Sequence, residues 1–417
     1  MKKETQQVPD RTTSVQAAGP SPMGTCAELA DLSAPKQPVC NQVAQVRLWI
    51  SDKLSQSLQL RIANLASSLD VVHVAIMPDV HEGAVVPNGA VVATRRLVYP
   101  EMVGSDIGCG VSALRFRSSA DDLTPQQLKW ILSRLQKVVP TLKVPSALAG
   151  GAEEQLIKLG ELSAQRLTQE VFREGRLQLG TLGRGNHFVE LERAQDGELW
   201  AVVHSGSRAM GQAISAHHLS KAHRDSSSGL RFLNTQEPAG NDYLQDMRWA
   251  TRYASQNRIV ILNRLADLLE QVAGVEPDAS SFVDSPHNFA REETHFGEQL
   301  IVHRKSANSA RVGEYGVIPG SMSVGTRITV GLGNGDSLNS SSHGAGRVMS
   351  RSQAFDSIKS RDFGRSMQGV VFNEHLSDRL RDEAPRVYKD LNEVMRAQRD
   401  LVRTELTLQP ILNDKRV

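Results

Sequence analysis

The spacing of apolar residues predicts several helices along this chain. In residues 43–69 the apolar side chains recur every three or four positions, as Leu58, Ile62 and Leu65 do. Such a spacing places them on one face of a helix. The same pattern predicts helices in residues 153–173, 242–271 and 388–404.

Another helix carries its own start signal. Thr124 suits the N-cap position, and Pro125 suits the first helical position, where a missing N–H removes no helical hydrogen bond. The apolar residues that follow lie on one helical face: Leu128, Ile131, Leu132, Leu135 and Val138. The pattern predicts an amphipathic helix that packs on a core.

Short apolar and β-branched runs indicate strands elsewhere. Residues 71–76 fit a buried strand that ends at Pro78, and glycine turns separate two more strands at 90–93 and 111–116. Similar runs occur in residues 179–204 and 298–333. Because helices and strands come in blocks instead of regular alternation, the predicted fold class is α+β, with mixed sheets inside and helices at the periphery.

The bulk composition limits the function classes. The chain has 417 residues, 40% of them hydrophobic, which allows a sizeable core, and its net charge of +2 gives no strong field for a polyanion. Aromatic residues make up 5%, so any nucleic acid would be held mainly through its phosphates. The sequence has no secretion signal and no apolar run of membrane-spanning length. We therefore expect a cytoplasmic protein without a membrane partner.

The first part of the chain differs from the rest. Residues 1–40 are rich in Ser, Thr, Pro, Gln and Ala without apolar periodicity, which predicts a disordered extension before a single catalytic domain at 41–417. Cys26, Cys40 and Cys109 are too few and too scattered for a disulfide framework. A cysteine in a functional loop would then act as a thiolate ligand or a nucleophile.

The sequence GSDIGCG at residues 104–110 is the densest candidate for chemistry. Its glycines allow a turn in which the carboxylate of Asp106 and the thiolate of Cys109 reach one point. The loop would offer a hard oxygen and a soft sulfur to a metal ion. A tight turn with a buried structural cysteine is the competing interpretation, so the loop needs partners.

Three histidines in polar, glycine-rich segments are suitable partners. They are His187 in GRGNHF, His204 in HSGSR and His287 in PHNF. Neutral imidazoles are common metal ligands, and one thiolate can bridge two ions held by different histidines. Each histidine alone is more often structural, but together with the loop at 104–110 they favour a two-metal site.

A fourth histidine, His343, lies in SSSHGAGR at residues 340–347. The small residues around it would let a large anion approach the backbone closely. An imidazole there can attack a phosphate or act as an acid or base. The alternative is an incidental histidine in a Ser/Gly surface loop.

Three segments combine cations or amides with small residues, as phosphate sites do. They are SGSR at 205–208, HRK at 303–305 and IPGSM at 318–322. An arginine fork matches phosphate oxygens, and lysine adds a point charge. For Arg304 and Lys305, a solvated strand edge is the competing interpretation.

As an ordered set, these segments resemble the RtcB family of RNA-splicing ligases. The resemblance runs from about residue 43 to the C-terminus. Its motifs are MPDVHEG at 77–83, DIGCG at 106–110, GTLGRGNHF at 180–188, HSGSR at 204–208, HN at 287–288, IPGSM at 318–322 and SHGAGRVMSR at 342–351.

The resemblance implies an RNA ligase that uses GTP and two Mn²⁺ ions bound in a central metal cleft. His343 would attack the α-phosphate of GTP, and the guanylate would pass to an RNA 3′-phosphate before a 5′-hydroxyl displaces GMP. Water would first open a 2′,3′-cyclic phosphate. The implied ligands are Asp106, Cys109 and His187 for one ion and Cys109, His204 and His287 for the other.

The resemblance also implies contacts to nucleotide and RNA. Asp79 would orient His343, and Glu190 would accept hydrogen bonds from the guanine edge. The other implied nucleotide contacts are Asn186, Phe188, Ser321, Gly344, Ala345, Gly346 and Lys415. The implied RNA and phosphate contacts are Arg208, Arg304, Lys305 and Arg347. Broken tRNA or rRNA fragments would be substrates of a monomer, with an archease-like activator as a further partner.

Several positions depart from the family pattern. Ser306 and Ser323 stand where glycine is usual, Asn413 where cysteine is common, and AVVP at 84–87 replaces a glycine-rich stretch. The ligand set and His343 are intact. We therefore interpret the chain as a divergent paralogue that keeps the chemistry and serves RNA repair instead of routine tRNA splicing.

Two other functions fit parts of the pattern. A metal-dependent RNA phosphodiesterase or phosphatase would keep the metal site without needing His343 as a nucleophile. A catalytically degenerate RNA-binding protein would have no reason to retain that histidine. Thiolate and imidazole ligands also suit zinc, so manganese rests on the resemblance alone.

Overall fold

The computed structural model describes residues 44–50, 52–145 and 151–416, so the extension predicted for residues 1–40 lies outside the described residues. The strands are β1 (Gln45–Leu48), β2 (Val71–His81), β3 (Asn88–Thr94), β4 (Leu97–Val98), β5 (Gly110–Ser119), β6 (Phe188–Ala194), β7 (Glu198–Ser205), β8 (His223–Arg224), β9 (Arg231–Asn234), β10 (Val283–Pro286), β11 (Asn288–His295), β12 (Glu298–Lys305), β13 (Ala307–Ser309), β14 (Tyr315–Pro319), β15 (Thr326–Gly331), β16 (Ser340–Ser342) and β17 (Val402–Lys415). The helices are α1 (Gln56–Ala66), α2 (Pro125–Val138), α3 (Ala152–Ile157), α4 (Gln165–Glu170), α5 (Arg176–Gln178), α6 (Arg208–Leu219), α7 (Pro238–Ala273), α8 (Arg351–Ser357), α9 (Ser360–Ser366) and α10 (Leu391–Ala397).

Two large sheets form the interior of the described chain. The larger has the order β10-β5-β7-β6-β17-β15-β14, and its edge strands β10 and β14 pack near each other, so it curls towards a barrel. The second sheet has the order β1-β2-β3-β12-β11. Two small sheets, β13-β16 and β4-β9-β8, complete the set within these residues. The fold class is α+β, as the block order of the sequence predicts.

Helix α7 is the longest element and packs across the larger sheet. It contacts β5 and β7 on one side and α2 and α6 beside them. Leu262, Leu265 and Leu269 join the apolar side chains of α2 and of the sheet in the largest core cluster. The helix ends at Gly274, whose φ of 66° provides the left-handed conformation that closes many helices.

The helix predicted after Thr124 is confirmed as α2. The Thr124 side chain accepts a hydrogen bond from the backbone N–H of Gln127, and the Gln127 side chain accepts one from Thr124 in return. This reciprocal capping box satisfies two N–H groups that have no helical partner. The buried residues are Leu128, Ile131, Leu132 and Leu135.

Two predictions near the N-terminus need correction. Residues 43–69 are not one helix, because β1 pairs in parallel with β2 before α1 begins behind the N-cap of Ser55. The strand predicted to end at Pro78 continues to His81. The ladder with β3 shifts register between Ile76 and His81, so the missing N–H of Pro78 falls in the irregular stretch of the pairing.

Two later helical predictions are also only partly correct. Residues 153–173 divide into α3 and α4, with Gly160 at φ 90° and a bond from the Ser163 N–H to Asp246 between them. In residues 388–404 only α10 is helical, and the chain enters β17 at Val402. There the pairing with β15 overrides the helical spacing. The predicted strands in 179–204 and 298–333 are present, and so is a helix over 242–271.

In the part of the chain that the structure describes, no helix combines the length and the apolar character that a membrane span requires.

Candidate active site

The ends of four neighbouring strands bring the predicted metal ligands to one edge of the larger sheet. Cys109 directly precedes β5, His187 directly precedes β6, His204 lies at the end of β7 and His287 follows β10. The antiparallel ladders between β10 and β5, β5 and β7, and β6 and β7 hold these positions in register. Residues far apart in sequence therefore meet at a single place.

The ligand atoms of three of these residues form one buried cluster. Cys109 Sγ lies 3.2 Å from His204 Nε2 and 3.5 Å from His187 Nε2, and the three donor atoms lie within 4.8 Å of one another. Nδ1 of His187 is 2.9 Å from the carbonyl oxygen of Leu182, and Nδ1 of His204 is 3.1 Å from that of Asn186. A carbonyl only accepts, so Nδ1 of His204 carries the proton and the Nε2 lone pair of His204 faces the thiol. This donor set fits a divalent metal ion.

Asp106 and His287 lie on either side of this cluster. Asp106 Oδ2 is 3.2 Å from His187 Nε2, and the backbone N–H of His287 donates to the Cys109 carbonyl at 2.8 Å. The rings of His287 and His204 have centroids 5.2 Å apart. His287 Nδ1 is buried and has no hydrogen-bond partner among the described residues, as expected of a nitrogen reserved for a ligand. The assignment of Asp106 and His287 to particular ions stays a prediction.

Burial sets the protonation of these donors. It lowers the pKa of the His204 and His287 imidazoles, which are therefore neutral, as metal ligands must be. Burial and the neighbouring Asp106 carboxylate raise the pKa of the Cys109 thiol. Burial also opposes ionisation of Asp106, but its hydrogen bond and charge interaction with His187 prevail and lower the pKa of Asp106 to about 2. A bound cation would displace the thiol proton.

The side chain of Asp106, in the loop before β5, leaves no room for a side chain at Gly206. Gly206, in the loop after β7, faces Asp106 so closely that a Cβ on it would lie 2.1 Å from Oδ1 of the carboxylate. Any larger residue would displace Asp106. The glycine in HSGSR is therefore a steric requirement of the site.

Two buried polar residues of α7 hold the loops of the site, and the sequence reasoning missed both. Arg258 donates to the carbonyls of Gly108 and Ser205 at 3.0 and 2.8 Å and forms an ion pair with Asp284. Asn257 accepts hydrogen bonds from the backbone N–H groups of Gly180 and Thr181. Two adjacent polar residues on the buried face of α7, at helical spacing from Ala254, Ile261 and Leu262, were the available signal.

Replacing Arg258 with Met is expected to lower the free energy of unfolding by about 3–5 kcal/mol, because Asp284 and two carbonyls lose a buried partner. Urea denaturation followed by circular dichroism measures this. Arg248→Met, on an exposed face of the same helix, is the control and should change it by less than about 0.5 kcal/mol. Equal effects of the two variants would show that Arg258 does not hold these loops.

His343 is held from behind by a buried carboxylate. Asp79 Oδ2 lies 2.6 Å from His343 Nδ1 and also accepts from the backbone N–H groups of His343 and Gly344 at 3.1 and 3.3 Å. Burial disfavours the charged form, but the charge of His343 and its hydrogen bond lower the pKa of Asp79. The Nδ1 proton therefore points at Asp79, and Nε2 remains for the cleft. A Cβ on Gly346 would lie 2.1 Å from the Asp79 carbonyl oxygen, so this position requires glycine.

A cleft of about 690 Å³, counted out to its open mouth, adjoins His343. It is lined by all the residues for which the resemblance implies nucleotide contact: Asn186, Phe188, Glu190, Ser321, His343, Gly344, Ala345, Gly346 and Lys415. The sequence reasoning left out His81, Arg351 and Glu383, which also line it. Nucleotide contact by the residues of this lining stays a prediction.

The cleft is lined by cations and by buried acids. Lys415 Nζ lies 3.2 Å from Glu383, and Arg347 Nη1 lies 3.4 Å from the Tyr388 hydroxyl. Arg347 Nη2 and Ser321 Oγ are buried, and neither has a hydrogen-bond partner in the described residues. Donors of this kind suit phosphate oxygens.

Among the acids of this lining, the Glu190 carboxyl accepts a hydrogen bond from the side-chain amide of Asn413. Burial and the neighbouring Glu192 raise the pKa of Glu190. Asn413 stands where the family pattern has cysteine, so this hydrogen bond belongs to the departures of the chain.

Two of the predicted RNA contacts lie beside the metal cluster. Arg208 Nη1 is 3.2 Å from His187 Nδ1. Lys305 is close enough to Gly104 that a Cβ there would lie 2.0 Å from Nζ. Burial lowers the pKa of Lys305, against the charges of Asp106 and Cys109. Both cations are therefore placed to meet an anion that enters the metal site.

Arg304 does not belong with these residues. Its guanidinium is fully buried, pairs with Glu293, and donates to Ser340 and to the carbonyl of Leu338. The prediction of a phosphate contact is wrong for this side chain. A solvated strand edge is equally wrong, because β12 lies between β3 and β11.

Comparisons with known proteins identify the family of this chain. The family model described as tRNA-splicing ligase RtcB matches residues 61–159 and 148–416. The chain is 36% identical to RNA-splicing ligase RtcB of Escherichia coli K12 over 366 residues, which cover 82% of this chain and 89% of that protein. It is 29% identical to RNA-splicing ligase RtcB homolog 1 of Entamoeba histolytica over 410 residues, with 80% and 78% covered. It is also 27% identical to tRNA-splicing ligase RtcB of Pyrobaculum aerophilum over 401 residues, with 77% and 83% covered. This chain belongs to the RtcB family.

Proposed function

We propose that this chain joins RNA 3′-phosphate or 2′,3′-cyclic phosphate ends to 5′-hydroxyl ends through a guanylate carried on His343. The observation that carries the proposal is the placement of His343. Its Nδ1 is held by Asp79, and its ring centroid lies 4.8 Å from the ring of His287, which lies beside the cluster of Cys109, His187 and His204. The relatives named as RNA-splicing ligases support the reaction class.

The proposed chemistry proceeds by three phosphoryl transfers. Nε2 of His343 attacks the α-phosphorus of GTP, a P–N bond forms, and pyrophosphate leaves with the electrons of the broken P–O bond. An oxygen of the RNA 3′-phosphate then takes the guanylate and frees the imidazole. The 5′-hydroxyl oxygen attacks the activated 3′-phosphorus, loses its proton, and GMP leaves. Asp79 keeps the Nδ1 proton in place, so the lone pair stays on the attacking nitrogen.

Two Mn²⁺ ions are the proposed cofactors. The residues that would hold them are Asp106, Cys109 and His187 for one and Cys109, His204 and His287 for the other. When bound, such ions neutralise phosphate charge and polarise the phosphoryl oxygens. The convergent thiol and imidazole nitrogens and the unpartnered His287 Nδ1 support a metal here.

The substrates follow from the lining of the cleft. Glu190 would accept from the guanine edge, and the unpartnered donors of Arg347 and Ser321 would meet the phosphates of GTP. Arg208 and Lys305 would receive the RNA phosphate. Broken tRNA or rRNA fragments, an archease-like activator, a monomeric state, a cytoplasmic location and a role in repair stay predictions.

The experiment incubates purified protein with Mn²⁺ and GTP labelled at the α-phosphate. An acid-labile, base-stable label on the denatured protein is the expected result. An RNA with a 3′-phosphate and a 5′-hydroxyl end should then be joined. Release of phosphate or opening of cyclic ends without any label on the protein would favour the hydrolase instead.

Asp79→Asn is expected to slow labelling by roughly 100-fold or more, because a carboxamide can donate to Nδ1 and so move the imidazole proton to the attacking nitrogen. The rate of label incorporation in a single turnover measures the effect. Asp356→Asn, at an exposed position of α8 without a contact to His343, serves as the control. An unchanged rate in Asp79→Asn would remove the carboxylate from the mechanism.

A further inference from the structure

A continuous chain of hydrogen bonds leads from Ser306 to His343. Ser306 Oγ lies 3.2 Å from Asn88 Oδ1, and Asn88 Nδ2 lies 3.1 Å from His81 Nε2. His81 Nδ1 is 2.9 Å from the carbonyl oxygen of Asp79, whose carboxylate holds His343. The chain therefore connects a buried residue between β12 and β13 to the proposed nucleophile.

The direction of each hydrogen bond follows from the carbonyl groups. The Glu82 carbonyl, 3.3 Å from Asn88 Nδ2, can only accept, so the amide nitrogen of Asn88 faces Glu82 and His81. Asn88 therefore donates to His81 Nε2, and its oxygen must accept from the Ser306 hydroxyl. His81 then carries its proton on Nδ1 and donates it to Asp79. One arrangement satisfies every donor and acceptor.

His81 is held in this arrangement as a neutral imidazole. Burial lowers the pKa of His81 to about 4, against the effect of the hydrogen bond that His81 donates to the Asp79 carbonyl. Its ring lies nearly parallel to that of His343, with an interplanar angle of 18° and centroids 6.2 Å apart. Rotation of His81 would break its hydrogen bond to the Asp79 carbonyl.

Ser306 has an unfavourable backbone that glycine would relieve. Its φ of 54° lies in the left-handed region, which L residues rarely adopt. Its N–H is held by the side chain of Asn288, which donates in turn to the carbonyl of Asp106 in the candidate metal loop. A serine at a strained, buried position indicates that its hydroxyl contributes something that glycine cannot.

We propose that Ser306 and Asn88 are positioning residues for His343, acting through His81 and Asp79. The inference rests on the proposed function and deepens it. It also gives one departure from the family pattern a partner, because the hydroxyl of Ser306 meets the side-chain oxygen of Asn88, which directly follows the altered stretch at 84–87.

The test compares single-turnover labelling by GTP in Ser306→Ala, Asn88→Ala and the double variant, with Mn²⁺ present. Each single change is expected to slow labelling at saturating GTP by roughly 3- to 10-fold, the effect of one lost hydrogen bond. The double variant should be no slower than Asn88→Ala, because the two side chains act in series. The GTP concentration for half-maximal rate should stay within about 2-fold, since neither residue lines the cleft.

Ser306→Gly separates positioning from folding. Relief of the left-handed strain should raise the melting temperature, while loss of the hydroxyl should slow labelling as much as Ser306→Ala does. Ser133→Ala, which removes a hydroxyl bonded within α2, should label at the wild-type rate.

Two results would overturn the inference while the wild type still labels. The first is a labelling rate of Ser306→Gly equal to that of the wild type. The second is a double variant in which the rate reductions of Ser306→Ala and Asn88→Ala multiply. Absence of label in the wild type would instead overturn the proposed function itself.

Discussion

His343→Ala is expected to abolish covalent labelling by GTP and to reduce RNA joining by at least about 1000-fold. Alanine removes the nitrogen that would form the P–N bond, and no other imidazole in the described cleft is held in the same way. His343 has a carboxylate on Nδ1, whereas both nitrogens of His81 contact protein groups. The nitrogens of His204 face Cys109 and the Asn186 carbonyl.

The measurement uses α-labelled GTP, Mn²⁺, and denaturation before counting. His375→Ala, an exposed position outside the cleft, is the control for loss of a histidine and should label fully. Label that persists in His343→Ala would place the nucleophile elsewhere. Joining that persists without label would exclude a guanylate on the protein and leave a direct attack on the cyclic phosphate.

Local signals predicted the elements that local interactions build. Helix α2 carries its cap, its N1 proline and an apolar face within fifteen residues, and α7 has apolar spacing over most of its length. The strand β1 was missed because its structure depends on the parallel pairing with β2. The strand β17 was missed because its partners β6 and β15 lie far away in sequence. The spacing of apolar residues around β1 and at the start of β17 resembled that of a helix.

The candidate site was predictable as a set of loops but not as a geometry. Glycine-rich segments around Asp106, Cys109 and the histidines indicated a shared site, and the sheet brings them together. Arg304 and Lys305 are neighbours in sequence with opposite surroundings, since alternate side chains of a strand face opposite sides. Without the register of β12, nothing distinguished the buried arginine from a phosphate contact. Similarly, Arg258 serves the site from a helix that has no motif of its own.

Two residues that depart from the family pattern, Asn413 and Ser306, form side-chain hydrogen bonds in this chain. Asn413 meets Glu190 in the part of the cleft proposed for the base, and Ser306 meets Asn88 behind the nucleophile. Both pairs lie next to residues that the resemblance assigns to the reaction. They change hydrogen bonding around the site while the arrangement of Cys109, His187 and His204 is kept. Such changes tune a reaction more readily than they replace it.

Cys109→Ala is expected to remove bound metal and to reduce labelling and joining by at least about 100-fold. Its sulfur lies between two imidazole nitrogens, at 3.2 and 3.5 Å, so its loss leaves a gap at the centre of the cluster. If two ions share this thiolate, its loss would weaken the binding of both, whereas loss of His187 or of His287 would weaken the binding of one. The resulting order of metal loss, with Cys109→Ala the most severe, distinguishes a bridging thiolate from a terminal one.

Metal analysis of the purified variants and titration with Mn²⁺ measure this order. Cys109→Ser keeps an oxygen donor at the same place and should recover part of the activity with Mn²⁺ but little with Zn²⁺, because the harder ion accepts the hydroxyl more readily. Cys40 precedes the residues matched by the family model, so Cys40→Ala is the control for loss of a thiol elsewhere in the chain. If Cys109→Ala binds metal and labels as the wild type does, the sulfur is structural, and the ion must be held by the carboxylate and imidazoles alone. In that case Asp106→Ala would become the variant with the larger effect, because it would remove the one remaining anionic ligand of the proposed set.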